Sequence, residues 1–133
     1  WDGEHWLSAP VTTSDNNYDM GELWMLAADD WRITGPTESG PQPFNPGGEV
    51  AMWTSRDQGA TWTRTRQMTR DSPMNHTYVR RVLNANADFI ALWADGHGRQ
   101  PSESRLYFSD SQGSVFQLPF VMKSERASPI TVR

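Results

Sequence analysis

Apolar and polar residues follow the two-residue period of extended strands along this chain, and nowhere the sustained period of a helix. The alternation is clearest over Trp62-Thr63-Arg64-Thr65-Arg66-Gln67-Met68. Over Glu49-Val50-Ala51-Met52-Trp53-Thr54 it is weaker, but β-forming residues are common. Clusters of Gly, Pro, Asn, Asp and Ser punctuate the runs. The pattern predicts eight strands in two sets of four. The first set is about His5–Thr12, Gly21–Ala28, Glu49–Ser55 and Thr61–Thr69. The second is about Asn75–Leu83, Asp88–Ala94, Arg105–Ser109 and Ser114–Met122. The Gly- and Pro-rich stretch Trp31–Gly48 reads as a long loop. The polar tail Ser124–Arg133 is expected to fray or to begin a further unit.

The two sets repeat one plan. Ser109-Asp110-Ser111-Gln112-Gly113-Ser114-Val115-Phe116 lines up with Ser55-Arg56-Asp57-Gln58-Gly59-Ala60-Thr61-Trp62, an offset of 54. Leu92-Trp93-Ala94-Asp95 lines up with Leu26-Ala27-Ala28-Asp29 at an offset of 66. A longer loop in the first copy than in the second, Gly96–Ser104, accounts for the difference. Two units are expected, residues 1–70 and 71–133.

The stretch from Ser55 to Trp62 is a short polar turn between two β runs, which reads as a hairpin. Asp57 can accept backbone N–H groups further along, as an Asx-turn does. Gly59 supplies the positive φ that a tight reversal needs. Ser55 and Thr61 can bond locally, and Trp62 can fold back over the turn. Ser-x-Asp-x-Gly-x-Thr-Trp resembles the Asp-box, or bacterial neuraminidase repeat, at Ser55, Asp57, Gly59, Thr61 and Trp62. The resemblance implies a β-propeller blade with a structural box at the turn between its third and fourth strands. The fold expected is all-β: two tandem four-stranded antiparallel propeller blades, a partial propeller. The box of the second copy is degraded, with Ser111 for Asp57 and Val115 for Thr61. Propellers close with about four to eight blades. The remaining blades, or other copies of the chain, are therefore expected partners.

The chain has 133 residues, enough for one domain with a sizeable core. No apolar run approaches the roughly 18 residues of a membrane span, so no membrane partner is expected. The net charge of -4 argues against a nucleic-acid partner. The absence of cysteine excludes disulfides and thiolate metal sites. No signal-peptide pattern is present and residue 1 is Trp1, as expected of a processed chain or a piece of a longer one. The seven Trp suit either sheet packing or sugar stacking.

Candidate chemistry gathers in Asn75-His76-Thr77-Tyr78-Val79-Arg80-Arg81. Regular alternation puts His76, Tyr78 and Arg80 on one strand face. Tyr and His can exchange protons, and Arg can pair with a carboxylate. β-Elimination from a uronic acid needs those abilities together. An inter-blade hydrogen-bond network is the other reading of the same residues. In Ala94-Asp95-Gly96-His97-Gly98-Arg99, glycines on both sides of His97 leave it exposed. It is either a second site histidine or part of an ordinary turn. His97 with His76 is a weak zinc pair without a third ligand. His5 reads as structural. Trp31, Phe44 and the proline-stiffened loop Gly35–Gly48 form either a sugar-stacking rim or a plain insertion. Asp29-Asp30 could contribute to a structural calcium, though two carboxylates fall far short of a site; no other cofactor is expected.

The run His76–Arg99 is similar to the ulvan-lyase-like branch of carbohydrate-active Asp-box propellers. The resemblance implies a secreted or periplasmic enzyme acting on an acidic polysaccharide. His76, Tyr78, Arg80 and His97 would be its catalytic residues. Asn75, Arg81, Arg99 and Trp31 would bind substrate. The alternatives are a sialidase-like glycoside hydrolase and a non-catalytic propeller piece that binds glycan or protein. The Arg-Ile-Pro motif of sialidases does not occur in the sequence; Arg80-Arg81-Val82 stands nearest to it.

Overall fold

The chain turns back on itself wherever a short polar pair interrupts two β-forming runs, and it does so in the same way twice. The computed structural model describes residues 1–13 and 21–132. Among them there are nine strands and no helix. β1 (Glu22–Ala27), β2 (Asp30–Glu38), β3 (Glu49–Ser55) and β4 (Thr63–Gln67) form one antiparallel sheet in that order. β5 (His76–Asn86), β6 (Phe89–Asp95), β7 (Leu106–Ser109), β8 (Val115–Gln117) and β9 (Ile130–Val132) form the second.

Three expectations are corrected. His5–Thr12 is not a strand; the first sheet begins at Glu22. The missing fourth strand is β2, which occupies the front of the supposed long loop. Trp31, Ile33, Thr34 and Thr37 are good β-formers, and they were masked by the adjoining Gly35-Pro36. The sheet tolerates Pro36 because the register with β3 shifts between Gly35 and Glu38, freeing the ring from a ladder it cannot donate to. The tail also contributes a strand, since β9 pairs with β8.

The repeat is more regular than the sequence alignment implied. Asp29 lies in the turn after β1, whereas Asp95 ends β6, so the two are not equivalent. The equivalent strands are β2 and β6, each between the first and third strands of its sheet. Two residues separate β1 from β2 and β5 from β6. Ten residues separate β2 from β3 and β6 from β7, so no loop difference exists there.

Trp24, Val50 and Met52 of the first sheet join Val79, Ile90, Ala91, Trp93, Tyr107 and Val115 of the second in one buried cluster. Polar ties reinforce it. Gly48 and His76 exchange two backbone hydrogen bonds of 2.9 Å, so the sheets share a bridge where β3 and β5 begin. The Arg32 guanidinium, held by Asp30 at 2.7 and 2.8 Å, donates to the Ser111 carbonyl. Arg66 donates to the Gln112 carbonyl at 2.8 Å. Two arginines of the first sheet thus clasp the β7–β8 turn of the second.

Candidate functional site

The arrangement of the candidate residues depends on one irregularity in β5. His76 faces Asp95 and Thr77 faces Ala94, but the next aligned pair is Arg80 with Leu92. Tyr78 and Val79 therefore stand opposite the single residue Trp93, which is a β-bulge. Tyr78 adopts φ 52, the left-handed conformation that an L side chain enters at a cost. The extra residue breaks the alternation. His76 and Val79 are buried while Tyr78 and Arg80 are exposed. The expected convergence of His76, Tyr78 and Arg80 on one cleft does not occur.

His76 is 1% exposed and lies inside a hydrogen-bond network. The Trp93 indole N–H donates to its Nδ1 at 3.0 Å. That leaves the ring proton on Nε2, which donates to Ser72 Oγ at 2.9 Å. Ser72 Oγ in turn donates to Glu49 Oε2 at 2.8 Å, and the Ser72 backbone N–H donates to Glu49 Oε1 at 2.8 Å. Thr69 Oγ1 also donates to Glu49. Every step runs from donor to carboxylate, so Ser72 carries its proton toward Glu49 and is not activated by His76. Burial pushes the imidazole below its ordinary pKa, against the opposing pull of the Glu49 and Asp95 carboxylates. The ring packs edge-on against Tyr107 at 4.7 Å. Tyr107 donates to Asp95 Oδ2 at 2.8 Å, and burial together with that carboxylate raises its phenol.

Asn75, expected to bind substrate, is also buried and pins the Pro-rich loop. Its Oδ1 accepts the Gln42 backbone N–H at 3.0 Å, and its amide donates to the Gln42 and Pro46 carbonyls at 3.1 and 3.2 Å. Its own N–H donates to Gln42 Oε1 at 2.9 Å. Gly40 is required beneath it, because a Cβ there would come within 2.2 Å of Asn75 Oδ1.

Tyr78 and His97 do come together. They line an open cleft of about 500 Å³ with Pro46, Asp95, Gln100 and Ser102 among its walls. Ser102 Oγ accepts the His97 backbone N–H at 2.9 Å, and His97 Nδ1 accepts the Arg99 backbone N–H at 3.2 Å. The Arg80 guanidinium lies 4.5 Å from the Tyr78 ring centre and pairs with Glu22 at 3.2 Å. Arg81 reaches the Leu23 carbonyl at 3.5 Å, and Arg99 is exposed beyond the cleft walls. Trp31 lies against the Ser55–Trp62 turn instead, its ring 3.1 Å from where a Gly59 Cβ would stand. Asp30, one of the two carboxylates considered for calcium, is taken by Arg32. Among the described residues no three His, Asp or Glu groups gather in a metal-binding arrangement.

The Ser55–Trp62 turn is closed by its own side chains. Ser55 Oγ donates to Asp57 Oδ1 at 2.7 Å and accepts the Gly59 N–H at 2.8 Å. Asp57 also accepts the Thr61 N–H at 2.8 Å and the Thr61 hydroxyl at 2.6 Å. These donors bring its carboxyl down to about 2. Trp62 Nε1–H donates to the Gly59 carbonyl at 3.1 Å. In the second copy the carboxylate has moved one place. Asp110, not Ser111, accepts the N–H four residues on, from Ser114 at 2.8 Å, and that of Gln112 at 2.9 Å. The turn that looked degraded keeps its acceptor.

Sequence reasoning missed Glu49, Ser72, Trp93 and Tyr107 as partners of His76. The only available signal was that His76 begins a strand, where a polar side chain is paid for by neighbours on other strands. Searches against protein-family models, curated proteins and solved structures found no match.

Proposed function

We propose that the chain is a two-blade segment of an Asp-box β-propeller that acts on an acidic polysaccharide at the cleft between Tyr78 and His97. The repeated plan of the two sheets and the two carboxylate-closed turns support the propeller reading. The function rests on one observation: Tyr78 and His97 line the same open cleft, with Arg80 against the Tyr78 ring. Polysaccharide elimination needs such a set. A base removes the proton at C5 of a uronate, a double bond forms between C4 and C5, and the C4–oxygen bond breaks. The departing oxygen then takes a proton. Tyr78 and His97 are the acid–base candidates in this reading, and Arg80 the group that balances the uronate carboxylate. His76 is assigned to the support of β5.

The pairing of Arg80 with Glu22 favours a second reading, in which the cleft binds the glycan without cleaving it. One assay separates the two. The protein carrying this segment is incubated with oligouronates while ultraviolet absorbance and binding heat are followed. Rising absorbance that is lost in Tyr78→Phe and His97→Ala supports the lyase. Binding heat without absorbance supports the binding module, and neither signal removes the acidic-glycan reading. Paired carboxylates for a glycoside hydrolase are not offered by the cleft, whose Asp95 is buried beneath Tyr107 and the Arg105 N–H.

A further inference from the structure

A second cavity lies against the Ser55–Trp62 turn. It measures about 680 Å³. Trp1, Trp31 and Trp62 line it, and Asp2, Asp57 and Gln58 bring polar atoms to the same walls. None of the described residues lining it is a lysine or arginine. We propose that this cavity is a carbohydrate-binding site for neutral pyranose chains, separate from the cleft of Tyr78 and His97.

The chemistry of the walls selects the ligand. A pyranose offers a face of C–H groups that packs on an aromatic ring, and hydroxyls at its rim that seek acceptors. Trp31 and Trp62 are rigid at the outset. The Trp31 ring rests on the glycine-lined floor at Gly59, and the Trp62 N–H is tied to the Gly59 carbonyl at 3.1 Å. Gly59 itself, at φ 89, disfavours any side chain, and a Cβ there would press on the Trp31 ring at 3.1 Å. Rings fixed before binding lose little entropy when a sugar stacks on them. Gln58, whose φ of 57 belongs to the same turn, is exposed and presents both a donor and an acceptor. Asp57 Oδ1 is filled by Ser55 and the Thr61 N–H, and Oδ2 takes the Thr61 hydroxyl, which leaves one lone pair on Oδ2 for a sugar hydroxyl. Asp2, with His5 3.8 Å away, and Asp57 put two carboxylates on walls whose described residues include no lysine or arginine, which disfavours a uronate or a sulfated sugar. The two sites therefore divide their ligands by charge: acidic residues at the Tyr78 cleft, neutral residues here.

Tryptophan emission reports on this cavity directly. The protein is titrated with cellohexaose, mannohexaose and an oligogalacturonate of equal length. Saturable quenching by a neutral oligosaccharide is expected, with no comparable response to the galacturonate. Trp1→Ala and Gln58→Ala alter exposed side chains and leave the turn intact; each is expected to weaken the neutral ligand at least several-fold. Trp31→Ala also removes packing on Gly59, so its result is read only with a melting curve that matches the parent. Tyr78→Phe and His97→Ala are expected to leave this binding unchanged, which separates the site from the acidic-glycan cleft. Quenching by no neutral sugar, quenching indifferent to Trp1→Ala and Gln58→Ala, or preference for the galacturonate would each overturn the assignment.

Discussion

A buried histidine is informative mainly through what holds its two nitrogens. His76 receives the Trp93 N–H on Nδ1 and donates from Nε2 to Ser72, so the neutral ring is fully used. A proton added to it would displace one of these bonds in a dry site. The folded pKa lies below the ordinary 6.5, whereas the unfolded ring titrates near that value. Between the two, the unfolded chain binds the extra proton. The contribution of His76 is thus complete above about 6.5 and declines as pH falls from 6.5 toward the folded value. Urea midpoints measured from pH 7.5 to 5 are expected to fall in the parent protein. In His76→Gln the starting midpoint is lower and the decline flatter; an unchanged slope would refute the assignment. Asn75→Ala strands the Gln42 N–H and frees the Pro46 segment. It is expected to cost about 1–3 kcal/mol in the same denaturation experiment. A hydrogen-bond network is one of the two readings that the sequence offers for His76, whereas the pinning role of Asn75 is not legible there. Strand spacing alone cannot reveal a bulge, and the partners Glu49, Gln42 and Trp93 lie 27, 33 and 17 positions away.

At the scale of elements, the turns were the most legible part of the chain. Every contact anticipated for Ser55, Asp57, Gly59 and Trp62 is made within eight residues, so local chemistry was enough. β3 was bounded correctly at Glu49–Ser55 for a related reason: Gly47-Gly48 and the turn punctuate it on both sides. β2 was missed because its identity comes from pairing with β3, while its own residues include Gly35 and Pro36. The two carboxylate-closed turns give a test of the shifted acceptor. Asp57→Ala and Asp110→Ala are each expected to lower the melting temperature, whereas Ser111→Ala leaves it close to the parent value. Circular dichroism melts of the three variants decide this, and a loss at Ser111 equal to that at Asp110 would restore the unshifted alignment.

For the molecule as a whole, the two sheets share a core, yet each keeps a partly apolar outer surface. Phe108 stacks on Phe116 at 5.0 Å and meets Phe89 edge-on at 5.2 Å. Leu106, Leu118, Phe120 and Ile130 are exposed on the same sheet or its continuation. Apolar surface of this kind favours association, and unpaired strand edges add to it. Sedimentation at rising concentration is expected to show self-association of this chain. A single monomeric species up to high micromolar concentration would contradict that. Within the monomer, Arg32 and Arg66 tie the sheets by holding carbonyls of one turn. The double change Arg32→Ala with Arg66→Ala is expected to raise amide exchange in residues 110–114 more than in β3.

The bulge at Tyr78 has a last consequence, for how this position can vary. The core takes His76 before it and Val79 after it, so the inserted Tyr78 stays outside the buried cluster and carries the Arg80 guanidinium against its ring. Its backbone, at φ 52, is one that glycine would occupy with less strain. Folding economy and the aromatic ring are therefore opposed at a single site. A library randomised at Tyr78 and sorted for thermal resistance should enrich glycine and asparagine, while the same library sorted for oligouronate capture should return tyrosine.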